Sequence, residues 1–320
     1  MLRTDSGSRA IRWLAFMSGL STARARRLRQ MRILMFHRVG HSDYPQSALE
    51  AELKYLRREF DVISLEEMVR RHEAGIASTG REVALTFDDG LRSHVRVAYP
   101  LLVQYGMKAT FFVCPGLVNE GRWLWTHECR ARLEKLAPDG FLRVTVAIGG
   151  SGWLAGDRRT SRIEEMVRIM KQQTLERRLE MEEIIRQADA NFSPSADQRA
   201  TYDLATWAEL QSLDPEVVSI GSHSMTHSIL PLLDEERLRG EVVESQATLE
   251  SRLGRRVDLF CYPSGAEDVR VRSLVARSYV AAVSTRHGSA SAHSDRYDLP
   301  RIASGRGEAL LAWRMHRGLV

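Results

Sequence analysis

Cysteine is scarce in this chain of 320 residues, which contains only Cys114, Cys129 and Cys261. An odd number of cysteines without paired spacing excludes the disulfide framework of a small secreted domain. Scarce, unpaired cysteines are typical of proteins in a reducing compartment. We therefore expect a cytoplasmic protein whose Cys114 and Cys261, at predicted strand ends, are buried small side chains.

Long apolar runs are also missing. Residues 11–17 are the most apolar part of the N-terminal segment, but Arg12 interrupts them and they fall far short of the ~20 residues that span a bilayer. A secretion signal fits poorly because an arginine run begins at Arg24. Basic residues beside Trp13 and Phe16 favour an amphipathic segment, residues 1–30, lying on anionic lipid at the inner membrane face. A helix docked on the protein itself is the alternative.

The body of the chain has no excess of either charge. Residues 1–32 contain eight arginines and one aspartate, a net charge of +7, whereas the whole chain carries +5. The remainder therefore carries −2. A nucleic-acid-binding domain would show a basic stripe with interleaved aromatic residues, and the sequence shows none. We predict no nucleic-acid partner.

Short apolar runs alternate with amphipathic segments along most of the chain. Strands are predicted at 32–37, 61–64, 82–87, 109–114, 217–220, 257–261 and 281–285, with helices between them. This alternation predicts a parallel α/β fold. We expect one domain over residues 31–320, with an insertion at about 119–203 that contains a hairpin at 142–148 and a helical stretch at 163–187. Polar motifs at Asp88, His223 and Ser264 each follow a predicted strand, which is where parallel barrels carry their active sites.

The first chemical motif is the pair Asp88-Asp89, followed by Gly90. Adjacent carboxylates repel each other, so the pair is costly unless a cation or a proton relieves it. One carboxylate can bind a metal while its neighbour accepts protons. A plain loop turn, for which Asp-Asp-Gly is suitable, is the alternative.

The second motif is the pair His223 and His227, four residues apart. This spacing lets both imidazoles face one point. Two imidazoles and a carboxylate suit zinc, and also iron, cobalt or nickel. Coincidence is the alternative for a lone pair, but the Asp motif in the same chain favours a divalent metal site.

Together these motifs resemble those of the polysaccharide deacetylases of carbohydrate esterase family 4, the NodB-homology enzymes. The resembling segments are 33–40 (ILMFHRVG), 86–90 (TFDDG), 109–113 (ATFFV), 221–227 (GSHSMTH), 260–265 (FCYPSG) and 299–302 (LPRI). They span most of residues 31–302. The resemblance implies a distorted (β/α) barrel of about seven strands.

The resemblance also implies roles for individual residues. Asp88 would be the catalytic base, and the metal ligands would be Asp89, His223 and His227. The backbone N–H that stabilises the oxyanion maps to Ser264. The metal would polarise an acetamide carbonyl and hold the water whose proton the base removes.

The chain departs from the family pattern at two motifs. Cys261 stands where the family often has an arginine that orients the base, and Arg301 is a candidate replacement, with a surface arginine as the alternative. The family's usual late histidine has no good match, since His316 on a predicted closing helix is expected at the surface. His37 is then the candidate proton donor or substrate contact, with a packed histidine as the alternative.

We therefore expect a metal-dependent enzyme that removes N-acetyl groups from an amino-sugar-containing poly- or oligosaccharide, with a lipid-linked glycan as one candidate substrate. A deformylase or amidase of the same fold, acting on another C–N bond, is the enzymatic alternative. The other alternative is a catalytically impaired member that binds a glycan without turnover.

Overall fold

The computed structural model describes residues 5–149, 158–291 and 293–316. Its sheet contains eight parallel strands: β1 (Arg32–Phe36), β2 (Asp61–Val62), β3 (Glu82–Phe87), β4 (Ala109–Val113), β5 (Val218–Ser222), β6 (Leu259–Cys261), β7 (Ala281–His287) and β8 (Leu299–Ala303). Seven strands pair in the order β1-β8-β7-β6-β5-β4-β3, and β3 pairs with β1 to close a barrel. Strand β2 is an extra strand beside β3. The expected (β/α) barrel of about seven strands is confirmed.

Helices surround the barrel and cover its outer face. The α-helices of the described residues are α1 (Asp5–Met17), α2 (Leu20–Arg27), α3 (Gln46–Glu59), α4 (Leu65–Glu73), α5 (Tyr99–Tyr105), α6 (Pro115–Glu120), α7 (Trp125–Lys135), α8 (Pro138–Ala147), α9 (Arg159–Met170), α10 (Leu175–Ala188), α11 (Ala196–Tyr202), α12 (Trp207–Gln211), α13 (Glu235–Arg239), α14 (Ser245–Leu253), α15 (Val269–Ser278) and α16 (Glu308–His316). Every residue of β3 and β4 is buried, as expected for parallel strands covered on both faces.

Each of the seven predicted strands overlaps an observed one, but β8 was not predicted as a strand. Pro300 lies inside it, and because a proline cannot donate to a sheet ladder, this segment has an atypical sequence for a central strand. In the structure β8 pairs with both β1 and β7. It thereby brings Arg301 into the barrel.

The hairpin predicted at 142–148 is wrong, because these residues belong to α8 and its C-terminal cap. Phe141, Val144, Thr145 and Ile148 are buried, which is the i, i+3, i+4, i+7 spacing of one helical face. The β-branched residues within 142–148 are typical of a strand, but packing decided the structure. The helical stretch predicted at 163–187 is two helices, α9 and α10, with Thr174 capping the second.

The segment between β4 and β5 contains α6 to α12, and four of these helices pack around an apolar cluster separate from the barrel core. Members of this cluster on α7 to α10 include Leu133, Phe141, Met166 and Ile185. The first turn of α7 reaches the segment after β5, because the indole of Trp125 donates a hydrogen bond to the His227 carbonyl.

The N-terminal helices α1 and α2 pack against α16, the last helix of the described residues. Arg32 joins these helices to the barrel, because its fully buried guanidinium donates hydrogen bonds to four backbone carbonyls. The acceptors are Gln30 at 2.9 Å, Gly80 at 3.1 Å, Met315 at 3.2 Å, and Ala25. Burial lowers the pKa of Arg32 to about 10, so the side chain stays charged near neutral pH.

We predict that Arg32→Met destabilises the protein by about 2–4 kcal/mol, because three buried carbonyls and the half-buried Gln30 carbonyl lose their donor. Urea denaturation followed by circular dichroism measures the free energy of unfolding. The control is Arg57→Met on the exposed side of α3, which should change it by less than ~0.5 kcal/mol. An Arg32 variant as stable as the control would show that this network does not hold the terminal helices.

Candidate active site

The polar motifs meet at the carboxyl edge of the barrel. His37 follows β1, the pair Asp88-Asp89 follows β3, His223 follows β5 and Ser264 follows β6. Because the strands are parallel and closed, these ends form one ring, which is the functional face of such barrels. These residues, with His227, line one cleft of about 280 Å³.

Three side chains in the cleft are arranged as metal ligands would be. The donor atoms of Asp89, His223 and His227 all lie within 4.8 Å of one another. Nε2 of His223 is 3.5 Å from Oδ1 of Asp89, and Nε2 of His227 is 3.6 Å from the same oxygen. Tetrahedral zinc, with bonds of about 2.0–2.1 Å, separates its ligand atoms by about 3.3 Å. The donor set and its spacing therefore fit a small divalent cation.

The local backbone directs these side chains inward. Nδ1–H of His223 donates to the backbone carbonyl of Cys261 at 2.8 Å, which leaves the lone pair on Nε2, the nitrogen that faces Asp89. The indole of Trp125 donates to the His227 carbonyl at 3.3 Å. Asp89, His227 and Ser264 have φ values of 80°, 61° and 57°. Such left-handed backbone costs a non-glycine residue about 1–3 kcal/mol and is often found at functional sites.

Asp88 is next to the ligand set but has a different partner. Its two carboxylate oxygens each accept a hydrogen bond of 2.7 Å from the guanidinium of Arg301. Arg301 is not a surface arginine, since only 1% of it is exposed. It also donates to the Ser284 carbonyl, the Thr86 hydroxyl and the Cys261 sulfur. The base candidate is therefore held in one orientation.

A second grouping, of Asp88, His223 and Cys261, also brings three ligand atoms within reach of one another. It is the poorer metal site for two reasons. Asp88 is already paired with Arg301 on both oxygens. Burial raises the pKa of Cys261, so the thiol stays protonated, and a neutral thiol is a weak ligand.

Both buried carboxylates are ionised. Burial by itself would raise the pKa of Asp88, but the charge and hydrogen bonds of Arg301 outweigh burial and lower that pKa to about 2. For Asp89, burial also opposes ionisation, but the polar contact with His223 and the electrostatic effect of the other histidines around it outweigh burial, so its pKa lies well below the usual value. The two carboxylates therefore have different partners, Arg301 for Asp88 and the histidines for Asp89.

His37 lies at the open side of the cleft. Its Nε2 is 3.7 Å from Oδ2 of Asp88, and nearly half of its side chain is exposed. The packed-histidine alternative is therefore wrong, because this ring can reach both solvent and a bound molecule. The fully buried His94 fixes the backbone there, with its Nε2–H donating to the His37 carbonyl at 2.8 Å.

Sequence analysis missed His127, on the first turn of α7. Its Nε2 is 3.7 Å from Oδ2 of Asp89, and its ring packs on Tyr202 with centroids 4.8 Å apart. Burial lowers the pKa of His127 to about 3, so the ring is neutral near pH 7. His127 lies in the insertion predicted at about 119–203, and the spacing of apolar residues there did not single it out. The signal in the sequence that could have pointed to this turn is the pair of tryptophans at 123 and 125, shortly before His127.

The remaining predicted residues lie as follows. Ser264 lines the cleft beside Tyr262 and Thr285, so its backbone is near enough to contact a molecule bound there. His316 is on α16, stacked edge-on against Trp313, and does not line this cleft. Cys114, Cys129 and Cys261 are all buried and unpaired with one another, as expected for Cys114 and Cys261.

Comparison with known proteins gives a consistent result. A family model described as polysaccharide deacetylase matches residues 76–283. The protein YxkH of Bacillus subtilis (strain 168) is 32% identical over 85 residues, which is 25% of this chain and 30% of that relative. The chain thus matches less than a third of that relative's length.

Solved structures share the fold. The deacetylase PplD of Streptococcus pyogenes superposes with a TM-score of 0.60 at 19% identity, covering 91% of this chain and 98% of that one. IcaB of Ammonifex degensii superposes with a TM-score of 0.56 at 16% identity, covering 89% and 97%. At such low identity these similarities describe the fold alone.

We predict that Arg301→Met raises the pKa of Asp88 by roughly two units or more, because burial would then act without an opposing cation. A ¹³C NMR titration of the Asp88 carboxyl measures this pKa directly. Arg301→Lys, which keeps the charge but loses the two-pronged contact, should give a smaller rise.

The free energy of unfolding should depend on pH through the same ion pair of Asp88 and Arg301. Since the folded pKa of Asp88 lies below the unfolded value, its contribution is present above about pH 4 and is lost as the pH falls towards 2. In the Arg301→Met variant, the free energy of unfolding should not show this decrease as the pH falls from about 4 towards 2. An unchanged pKa in a folded variant would contradict the assignment of Arg301 as the partner that keeps Asp88 ionised.

Proposed function

The chain belongs to the polysaccharide deacetylase family, and we propose that it is a metal-dependent hydrolase that removes N-acetyl groups from an amino-sugar-containing glycan. One observation carries the proposal: a carboxylate paired with Arg301, Asp88, lies at the barrel mouth beside a separate group of side chains that could hold a metal ion. That combination supplies a base and a Lewis-acid position to one bound molecule.

Asp89, His223 and His227 would hold the metal, and zinc is the cation that two imidazoles and one carboxylate suit best, with cobalt, nickel or iron as alternatives. When bound, it would polarise the acetamide carbonyl and make a bound water more acidic. The protein side chains supply the remaining steps.

Asp88 accepts the proton of the attacking water while Arg301 holds both of its oxygens. The water oxygen bonds to the carbonyl carbon, and the backbone N–H at Ser264 is the candidate donor to the resulting oxyanion. As the C–N bond breaks, the nitrogen needs a proton. His37 is the candidate donor because it is exposed to the cleft and close to Asp88, from which it can recover the proton. The products are acetate and a free amine.

The cleft favours a glycan over a small amide. A second depression of about 700 Å³ continues from the 280 Å³ cleft and shares His37, Asp89, His127 and Arg130 with it. A formamide or another small amide would fill only a fraction of the volume of these two depressions. Several linked sugar rings could occupy it, with His127 as a candidate hydrogen-bonding contact to the substrate because its ring is neutral.

We predict that the purified protein binds about one divalent metal per chain and releases acetate from an acetylated oligosaccharide only while that metal is bound. Atomic emission measures the metal, and an enzyme-coupled assay measures the acetate. His227→Ala should lower the metal content at least tenfold. Full acetate release after complete chelation would contradict metal dependence.

We also predict that Asp88→Asn lowers kcat for acetate release by about 10²–10⁴, because an amide cannot accept the proton of water. The metal content should stay near one per chain, since Asp88 is not among the three proposed ligands. The matched control is Asp61→Asn, an exposed carboxylate at the start of β2, which should keep full activity. A member that only binds glycan would show no turnover in the unmodified chain, and its affinity would not change with Asp88→Asn.

A further inference from the structure

Helix α1 presents an apolar face to solvent. Ile11, Trp13, Leu14 and Met17 are each more than half exposed, and so is Leu20 at the start of α2. The opposite side of α1 faces the protein, where Phe16 packs edge-on against Tyr55 with ring centroids 5.5 Å apart. The helix is thus docked on the protein through one side, and the side left outside is apolar.

This arrangement is the reverse of what a surface helix normally shows. A helix docked on a globular body usually turns polar residues towards water. Neighbouring large apolar side chains that remain exposed mark a surface that binds a partner or a membrane. Elsewhere among the described residues, no helix or strand carries more than two exposed large apolar side chains: Leu142 and Val146 are a pair on α8, and Ile76, Val103 and Val269 lie in separate segments.

Charge distinguishes between the possible partners. Residues 1–32 carry a net charge of +7, and Arg9, Arg24, Arg27 and Arg29 are exposed within them. A second copy of the chain would bring the same charge to the contact and be repelled. Anionic phospholipid headgroups would instead attract each such arginine by about 1 kcal/mol near the surface.

The length of α1 sets how it could meet a bilayer. Its 13 residues form a helix of about 20 Å, shorter than the ~30 Å hydrocarbon core. No helix among the described residues has the length and apolar character needed to span a membrane. A helix of this length with one apolar face would lie along the surface, with its side chains in the headgroup boundary.

The position of α1 relates it to the cleft. Arg9, Arg12 and Trp13 line a depression whose other wall is the segment at 305–310, which includes the first turn of α16. The same segment, through Gly305, Arg306 and Leu310, lines the depression that continues to His37 and Asp89. The cleft therefore opens beside the apolar helix.

We propose that the outer face of α1 binds the surface of an anionic membrane and that this places the opening of the cleft at the bilayer. The membrane-binding part of the proposal rests only on the exposed apolar face of α1 and the net positive charge of residues 1–32. Its consequence, access to glycans anchored in the membrane, rests on the proposed deacetylase function.

Flotation of the full chain with lipid vesicles tests the proposal. The chain should float with vesicles of mixed phosphatidylglycerol and phosphatidylcholine, and far less with phosphatidylcholine alone or at high salt. The triple variant Ile11→Ser, Leu14→Ser, Met17→Ser should lower the partition coefficient roughly tenfold or more. The matched control, Ile76→Ser, Val103→Ser, Val269→Ser, should leave it unchanged, and circular dichroism confirms that both variants fold.

Two activity measurements separate this proposal from the proposed function. The triple variant should release acetate from a soluble N-acetylglucosamine oligosaccharide at the normal rate, and more slowly from the same sugar linked to lipid in vesicles. If the unmodified chain released acetate from neither substrate but still floated with vesicles, the proposed function would be refuted and membrane binding would be supported. Equal flotation of the triple variant and the unmodified chain would overturn the membrane proposal. Absence of flotation of the unmodified chain would also overturn it. So would a triple variant in which the oligomeric state changes from dimer to monomer while flotation does not change.

Discussion

The site depends on the buried ion pair between Asp88 and Arg301. Two adjacent carboxylates at one strand end repel each other, and burial makes both charges more costly. Arg301 contacts both oxygens of Asp88 at 2.7 Å, so this carboxylate is ionised and already committed to a partner. Asp89 is left to face His223 and His227. The pair therefore divides one acidic motif into two chemically different groups.

Much of this arrangement could be predicted from the sequence because its signals are local. Asp88-Asp89 and His223 with His227 each follow an apolar run, and parallel strands bring such ends to one edge. Arg301 was only a candidate, since its partner lies 213 residues away and Pro300 obscured its strand. His127 could not be found, because no periodicity tells which turn of an inserted helix faces the cleft. The predicted hairpin failed where helical burial outweighed β-branched composition.

The periphery of the barrel also bears on the site. The insertion brings α7, and with it His127 and Trp125, to the metal-ligand side of the cleft. On the opposite side, the helices at the two ends of the chain pack together over Arg32. They place Trp13, on the apolar face of α1, beside the segment at 305–310. That segment borders the depression that His37 and Asp89 also line, so a glycan in this depression would lie next to both residues.

The central claim is that the metal and the base are held by separate side chains at one point of the cleft. A crystal structure of the zinc-loaded protein, with anomalous data collected at the zinc edge, tests it most directly. We predict one strong peak about 2.0–2.2 Å from Nε2 of His223, Nε2 of His227 and a carboxylate oxygen of Asp89. Asp88 should remain on Arg301. A peak elsewhere, or one coordinated by Asp88 with its arginine contact broken, would contradict the account.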